Sequence, residues 1–121
     1  MKIENDGLKK ENIIEKKSFE FALRIIKVYK FLTKNNENIL SKQLLRNGTS
    51  IGANIAESKD AISKKDFRNK LSIALKEARE TYYWLRLLIE SGYLSNKQTK
   101  SLLELLEEII SILVKAVKNA K

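Results

Sequence analysis

The chain of 121 residues carries 24 Lys and Arg against 15 Asp and Glu, a net charge of +9, and contains no His, Cys or Pro. A length near 120 residues fits a single domain with a small core. The missing side chains exclude thiolate and imidazole catalysis, disulfides and the common zinc sites, while the charge makes polyanions the first partners to consider.

The first segment, residues 1–16, is lysine-rich and lacks an apolar stripe, so it reads as flexible or as a frayed helical extension of a bundle domain over residues 17–121. It is charged throughout and unlike a signal peptide. No apolar run approaches the roughly 20 residues that a bilayer requires. A cytoplasmic location with no membrane partner is expected.

Four segments then show helical periodicity, and none shows sustained two-residue alternation. The first is predicted over about Ser18 to Lys34, with Phe19, Ala22, Ile26 and Tyr29 on one side and Phe21, Ile25, Val28 and Leu32 beside them. Residues 35–38 read as a loop. The second, from about Ile39 to Ser58, aligns Leu40, Leu44, Ile51 and Ile55, with Gly48 and Gly52 adjoining the stripe so that another helix can approach closely. Ser63 followed by Asp66 resembles a capping box that opens a third helix, and Gly92 supplies its stop after about Ser91. Ser95 with Gln98 repeats that start signal, and Leu102, Leu105, Ile109, Ile112, Leu113 and Ala116 carry a fourth helix to about Lys118. Short loops between helices of this length predict an all-α fold, an antiparallel up-down four-helix bundle.

The helix faces carry more than a core. On the third helix Ile73, Trp84, Leu87 and Leu88 form a second apolar patch beyond the main stripe, which one bundle cannot easily bury and which reads as an oligomer interface. A cover for Trp84 by the N-terminal segment of its own chain is the alternative. The second helix presents Gln43, Arg46, Asn47, Ser50, Asn54 and Glu57 opposite its core stripe. Amides and hydroxyls of this kind suit a polar network between helices or subunits; a solvated face is the simpler reading. Arg46 and Glu57 lie too far apart along the helix to pair, so each needs another partner.

For nucleic acid the best stripe is again on the third helix. Lys65, Arg68, Ser72, Lys76, Arg79, Tyr83 and Arg86 share about a quarter of its circumference, with Lys42, Lys59, Lys64 and Lys70 near in sequence. Arginines and a tyrosine suit phosphate contacts and base stacking, although charge opposite a core stripe is more often only solvated. Catalysis finds little support. Glu77 and Glu80 share a face, as paired carboxylates must for acid-base work or metal binding, but a di-metal bundle site needs more inward carboxylates and normally His. Residues 47–52 lack the lysine of a phosphate loop and fall inside a helical pattern. No enzyme activity, metal or cofactor is expected.

The run Gln43 to Arg46 followed by Ser50-Ile51-Gly52-Ala53-Asn54-Ile55-Ala56-Glu57 resembles the signature of the four-helix-bundle proteins encoded within 23S ribosomal RNA intervening sequences. The stretch 73–81 and the end Ser91-Gly92-Tyr93-Leu94 resemble it too, so the likeness spans about Phe19 to Ala116. Ser58-Lys59 departs from the Gly that many members place after the Glu. The resemblance implies a ring, typically a homopentamer, without established enzymatic activity, and a likeness to accessory proteins of diversity-generating retroelements, which bind nucleic acid and a reverse transcriptase. It further implies that Gln43, Arg46, Ser50, Asn54, Glu57, Glu77 and Glu80 form a polar network or pore lining. The function expected is a ring-forming, RNA-binding bundle; the alternative is a scaffold for a protein such as a reverse transcriptase.

Overall fold

The computed structural model describes residues 6–120. Four helices follow one another: α1 (Asp6–Lys34), α2 (Leu40–Ser58), α3 (Lys64–Glu90) and α4 (Asn96–Asn119). Among the described residues none is long and apolar enough to cross a membrane. Neighbouring helices run antiparallel. Gly48 of α2 faces Ile25 of α1 while Gly52 faces Ser18. Glu57 meets Lys70 whereas Asn47 meets Glu77. Arg68 reaches Val117, and Lys17 reaches Glu108, closing the square between α1 and α4.

The expected starts of α3 and α4 hold because they are local chemistry. Ser63 accepts from the Asp66 N–H at 3.0 Å while the Asp66 carboxylate accepts from the Ile62 N–H. Ser95 and Gln98 form a reciprocal capping box. Gly92, at φ +91°, ends α3: its N–H donates to Ile89 and the N–H of Tyr93 donates to Leu88, satisfying carbonyls that the helix leaves open. At the departure noted above, α2 leaves without a glycine. The buried Ser58 hydroxyl donates to the Ile55 carbonyl at 2.6 Å, and the chain exits through successive backbone bonds from Lys59, Asp60 and Ala61 to residues three earlier.

The start of α1 differs from the sequence reading, whereas the loop before α2 falls where it is expected. α1 begins at Asp6 rather than near Ser18, and Ile14 packs against the core while Glu15 pairs with Lys59 at 3.1 Å. α1 thus extends into the segment read as flexible or as a frayed helical extension, and residues 1–5 of that segment lie outside the described residues. The loop before α2 carries a cap that the sequence reading does not include. Asn36 adopts φ +68°, which lets the Glu37 N–H return to the Leu32 carbonyl at 2.8 Å and close α1. The Glu37 side chain then opens α2, accepting from the backbone N–H groups of Ile39, Leu40 and Ser41 at 3.2, 2.9 and 2.5 Å. Helix starts leave such donors without partners. One residue thus caps two helices.

The core is built from Phe21, Ile25 and Leu32 of α1, Leu44, Ile51 and Ile55 of α2, Leu71, Ala74, Ala78, Leu85 and Leu88 of α3, and Leu102, Leu105, Leu106, Ile109 and Leu113 of α4. The two glycines of α2 set the distance to α1, but unequally. A methyl group at Gly48 would sit 2.9 Å from Ile25 Cγ2, one branch of a stiff β-branched side chain. At Gly52 the nearest atom is Ser18 Oγ at 3.4 Å. Gly48→Ala is therefore expected to lose about 1–2 kcal/mol through overpacking, and Gly52→Ala to gain about 0.5–1 kcal/mol from helix propensity. Urea melts of the two variants check the opposite signs.

Candidate nucleic-acid interface and the Asn47 junction

α2 and α3 meet around one side chain. Asn47 follows Leu44 by three residues and precedes Ile51 by four, so helical spacing places it in the core stripe, and it is 1% exposed. Its Nδ2 donates to Glu77 Oε1 at 2.5 Å and to Glu80 Oε1 at 2.7 Å; its Oδ1 accepts from Trp84 Nε1 at 2.8 Å. The partners fix the amide orientation, since carboxylates accept and an indole N–H donates. Asn47 lay on the amide-rich face read from the sequence, but that reading gave it no role apart from its neighbours. The available signal was a polar residue in a core register.

The remaining motif residues do not join this junction within the protomer. Ser50 Oγ donates to the Arg46 carbonyl and Asn54 Nδ2 to the Ser50 carbonyl, both in their own helix. Gln43 and Arg46 are exposed. Glu57 crosses to α3, where Lys70 Nζ pairs with it at 3.0 Å; that hydrogen bond and the carboxylate charge raise the Lys70 pKa. Gln43, Arg46, Ser50, Asn54, Glu57, Glu77 and Glu80 thus fall into separate local groups. Glu77 and Glu80 are held by an amide, and among the described residues no group of three or more acidic side chains is placed to hold a metal ion.

Trp84 is half-buried beside α2, and its ring meets Tyr83 edge-on with centroids 5.3 Å apart at 69°; the alternative cover by the N-terminal segment falls in part outside the described residues. The second apolar patch of α3 is narrower than expected. Leu88 lies three residues after Leu85 and faces the core, where it is 0% exposed, so it is not available to a partner; Ile73 and Trp84 are half-buried and Leu87 is exposed. A broader apolar surface lies where the sequence reading placed none. Phe21, Ile25 and Leu32 take the core side of α1 and turn Phe19 outward, 67% exposed. With Ala22 and Leu23 it lines a groove of about 710 Å³ against Gly52, Ala53 and Ala56 of α2.

The cations divide by face. Lys65, Arg68, Lys76, Arg79 and Arg86 are all exposed along α3 together with Tyr83, 58% exposed. Arg68 Nε donates to the Val117 carbonyl at the end of α4, and Arg86 pairs with Glu90 at 3.0 Å, whose hydrogen bond and charge raise its pKa. Lys76 and Arg79 have no ion-pair partner among the described residues. Lys64 is exposed at the start of α3. The expected widening by α2 does not follow: Lys59 turns to Glu15 of α1, and Lys42 lies five positions before Asn47, about 140° around the helix from the α3 side. Asn47 engages one carboxylate oxygen each of Glu77 and Glu80, and the exposed Glu80 borders the cationic row.

The chain is similar in structure to a protein of unknown function from the S23 ribosomal protein family of Bacteroides thetaiotaomicron VPI-5482, with 51% sequence identity and a TM-score of 0.87 over 90% of this chain and 98% of that one. No curated protein matches it. The family model described as 23S rRNA-intervening sequence protein matches residues 10–115. Four helices joined through the polar and glycine positions of α2 agree with that match, and the chain belongs to the 23S rRNA-intervening sequence protein family.

Proposed function

We propose that the protein is a non-enzymatic, ring-forming homo-oligomer of the 23S rRNA intervening-sequence type that binds RNA through α3. The observation that carries this reading is the exposed row Lys65, Arg68, Lys76, Arg79 and Tyr83, beside which Asn47 engages one oxygen each of Glu77 and Glu80. Cations on one helix face supply the phosphate contacts that dominate nucleic-acid affinity. Ring formation is supported by the exposed apolar groove that Phe19, Ala22 and Leu23 of α1 form against α2, a face that a second copy of the chain would cover. A head-to-tail contact between this groove and an unlike surface of the next copy closes into a ring when the rotation between copies closes. Repetition of the stripe around a ring would multiply weak contacts.

Titration of a structured RNA against salt tests the reading, with protomer assembly followed by light scattering. Each phosphate neutralised adds about 0.7–0.9 to the log-log salt slope. The double change Lys76→Ala with Arg79→Ala is expected to flatten that slope by about 1.5 while leaving the assembly intact. Absence of binding at low salt would sink the RNA reading, and a mass near 14 kDa would sink the ring.

A further inference from the structure

The outer face of α3 carries a trough of about 510 Å³ whose walls include Lys76, Arg79, Glu80, Tyr83 and Trp84. Charge alone does not account for its composition. Tyr83 leaves more than half of its surface to solvent in the middle of a cationic row, and its ring meets that of Trp84 edge-on with centroids 5.3 Å apart. Trp84 is in turn anchored by its hydrogen bond to Asn47. An exposed aromatic ring is a stacking surface for a base. A duplex gives such a ring nothing to stack on, because its bases are already stacked and the deep, narrow major groove of A-form RNA shuts out protein side chains. An unpaired strand offers both a base face and phosphates.

We propose that this trough binds unpaired RNA, with one base stacked on Tyr83 and the adjoining phosphates on Arg79 and Lys76. The inference rests on the reading of the α3 stripe as an RNA-binding surface and names the form of RNA it takes. Arg79 and Lys76 lie four and seven residues before Tyr83, about 6 and 10 Å along the helix axis, so a strand running along α3 meets ring and cations in succession. Glu80 is the acidic wall of the trough. Its Oε1 accepts from Asn47 Nδ2 at 2.7 Å, which ties one side of the carboxylate to α2.

The test compares a ten-nucleotide RNA without self-complementarity and a blunt duplex of the same strand, both at low salt. The single strand is expected to bind more tightly, although the duplex has the higher charge density. Tyr83→Leu should weaken single-strand binding about tenfold or more and change duplex binding by less than about twofold, while Tyr83→Phe keeps wild-type affinity because the ring remains. Trp84 is the only tryptophan of the chain, and its emission should shift on adding the single strand. Circular dichroism establishes that the variants are folded. If Tyr83→Leu binds the single strand as the wild type does, while loss of Lys76 and Arg79 still weakens it, the stripe binds by charge alone and the stacking proposal is overturned. Equal binding of polyglutamate also overturns it. If neither RNA binds the wild type, the RNA reading of the stripe falls first.

Discussion

Asn47→Asp is expected to destabilise the protein by about 3–5 kcal/mol, more than Asn47→Ala, although aspartate is the closer match in shape. In the native junction one amide nitrogen satisfies Glu77 and Glu80 together, and the amide oxygen takes the Trp84 indole proton. Aspartate keeps the second contact and replaces the first with an oxygen facing two carboxylates at hydrogen-bond distance. Losing two hydrogen bonds to carboxylates, at about 1.5–3 kcal/mol for each bond to a charged group, while setting a third like charge against them accounts for that magnitude. Alanine removes the donor without adding a charge and leaves the indole N–H without its acceptor, for about 2–4 kcal/mol. Against a total stability of about 5–15 kcal/mol for a typical domain, the aspartate variant loses a large part of its margin. Urea unfolding at fixed protein concentration, followed by helical ellipticity and Trp84 emission, reads the order directly. Equal midpoints for the two variants would show that the carboxylates do not converge on residue 47 in solution.

The second large effect concerns Glu37, which is 6% exposed. Burial by itself raises the pKa of its carboxyl, but the backbone donors of Leu40, Ser41 and Ile39, with the Ser41 hydroxyl, outweigh it and hold the pKa below the ordinary value. Glu37→Ala orphans three N–H groups at the start of α2 and is expected to cost about 2–3 kcal/mol, somewhat above an ordinary cap. The pH dependence follows from the direction of the shift. The unfolded chain takes up the proton first, near pH 4.3, so the contribution is complete above that value and disappears as the pH falls through the lower folded value. Glu37→Gln cannot titrate. The stability difference between wild type and Glu37→Gln should therefore hold steady from pH 7 to about 5 and shrink below about 4; a difference that grows on acidification would refute the cap.

Much of the fold was legible because its signals are local. Ser63 and Ser95 bond to N–H groups three residues away, and Gly92 adopts a backbone angle that other residues resist, so the termini of α3 and the start of α4 are written within a few residues. The cap at Glu37 escaped notice because glutamate is not a usual capping residue, and because it acts from two positions before Ile39. What places it there is the left-handed turn at Asn36. Family membership was legible for the same reason as the caps, since the spacing of Ser50, Asn54 and Glu57 is fixed within one helix.

The candidate site was only partly readable. The cationic row of α3 is a property of one helix and follows from its 3.6-residue period. How the carboxylates beside that row are engaged does not, because the amide that binds Glu77 and Glu80 comes from thirty residues upstream. Leu87 and Leu88 look alike in sequence, yet one is exposed and the other is core; the rotation of α3 against α2 decides between them. On α1 two apolar stripes compete for the interior, and the close approach at Gly48 and Ile25 selects Phe21 and Ile25 and leaves Phe19 outside.

The sequence by itself determined the four helices, their short connections, the +9 charge and the absence of thiol and imidazole chemistry, since composition, caps and periodicity act within a turn or two of chain. The tertiary structure alone decided which faces are buried, that Asn47 joins α2 to α3, and that the α1–α2 groove stands open. Those outcomes depend on how helices far apart in sequence rotate against one another, where packing selects among faces that the local pattern leaves nearly equivalent.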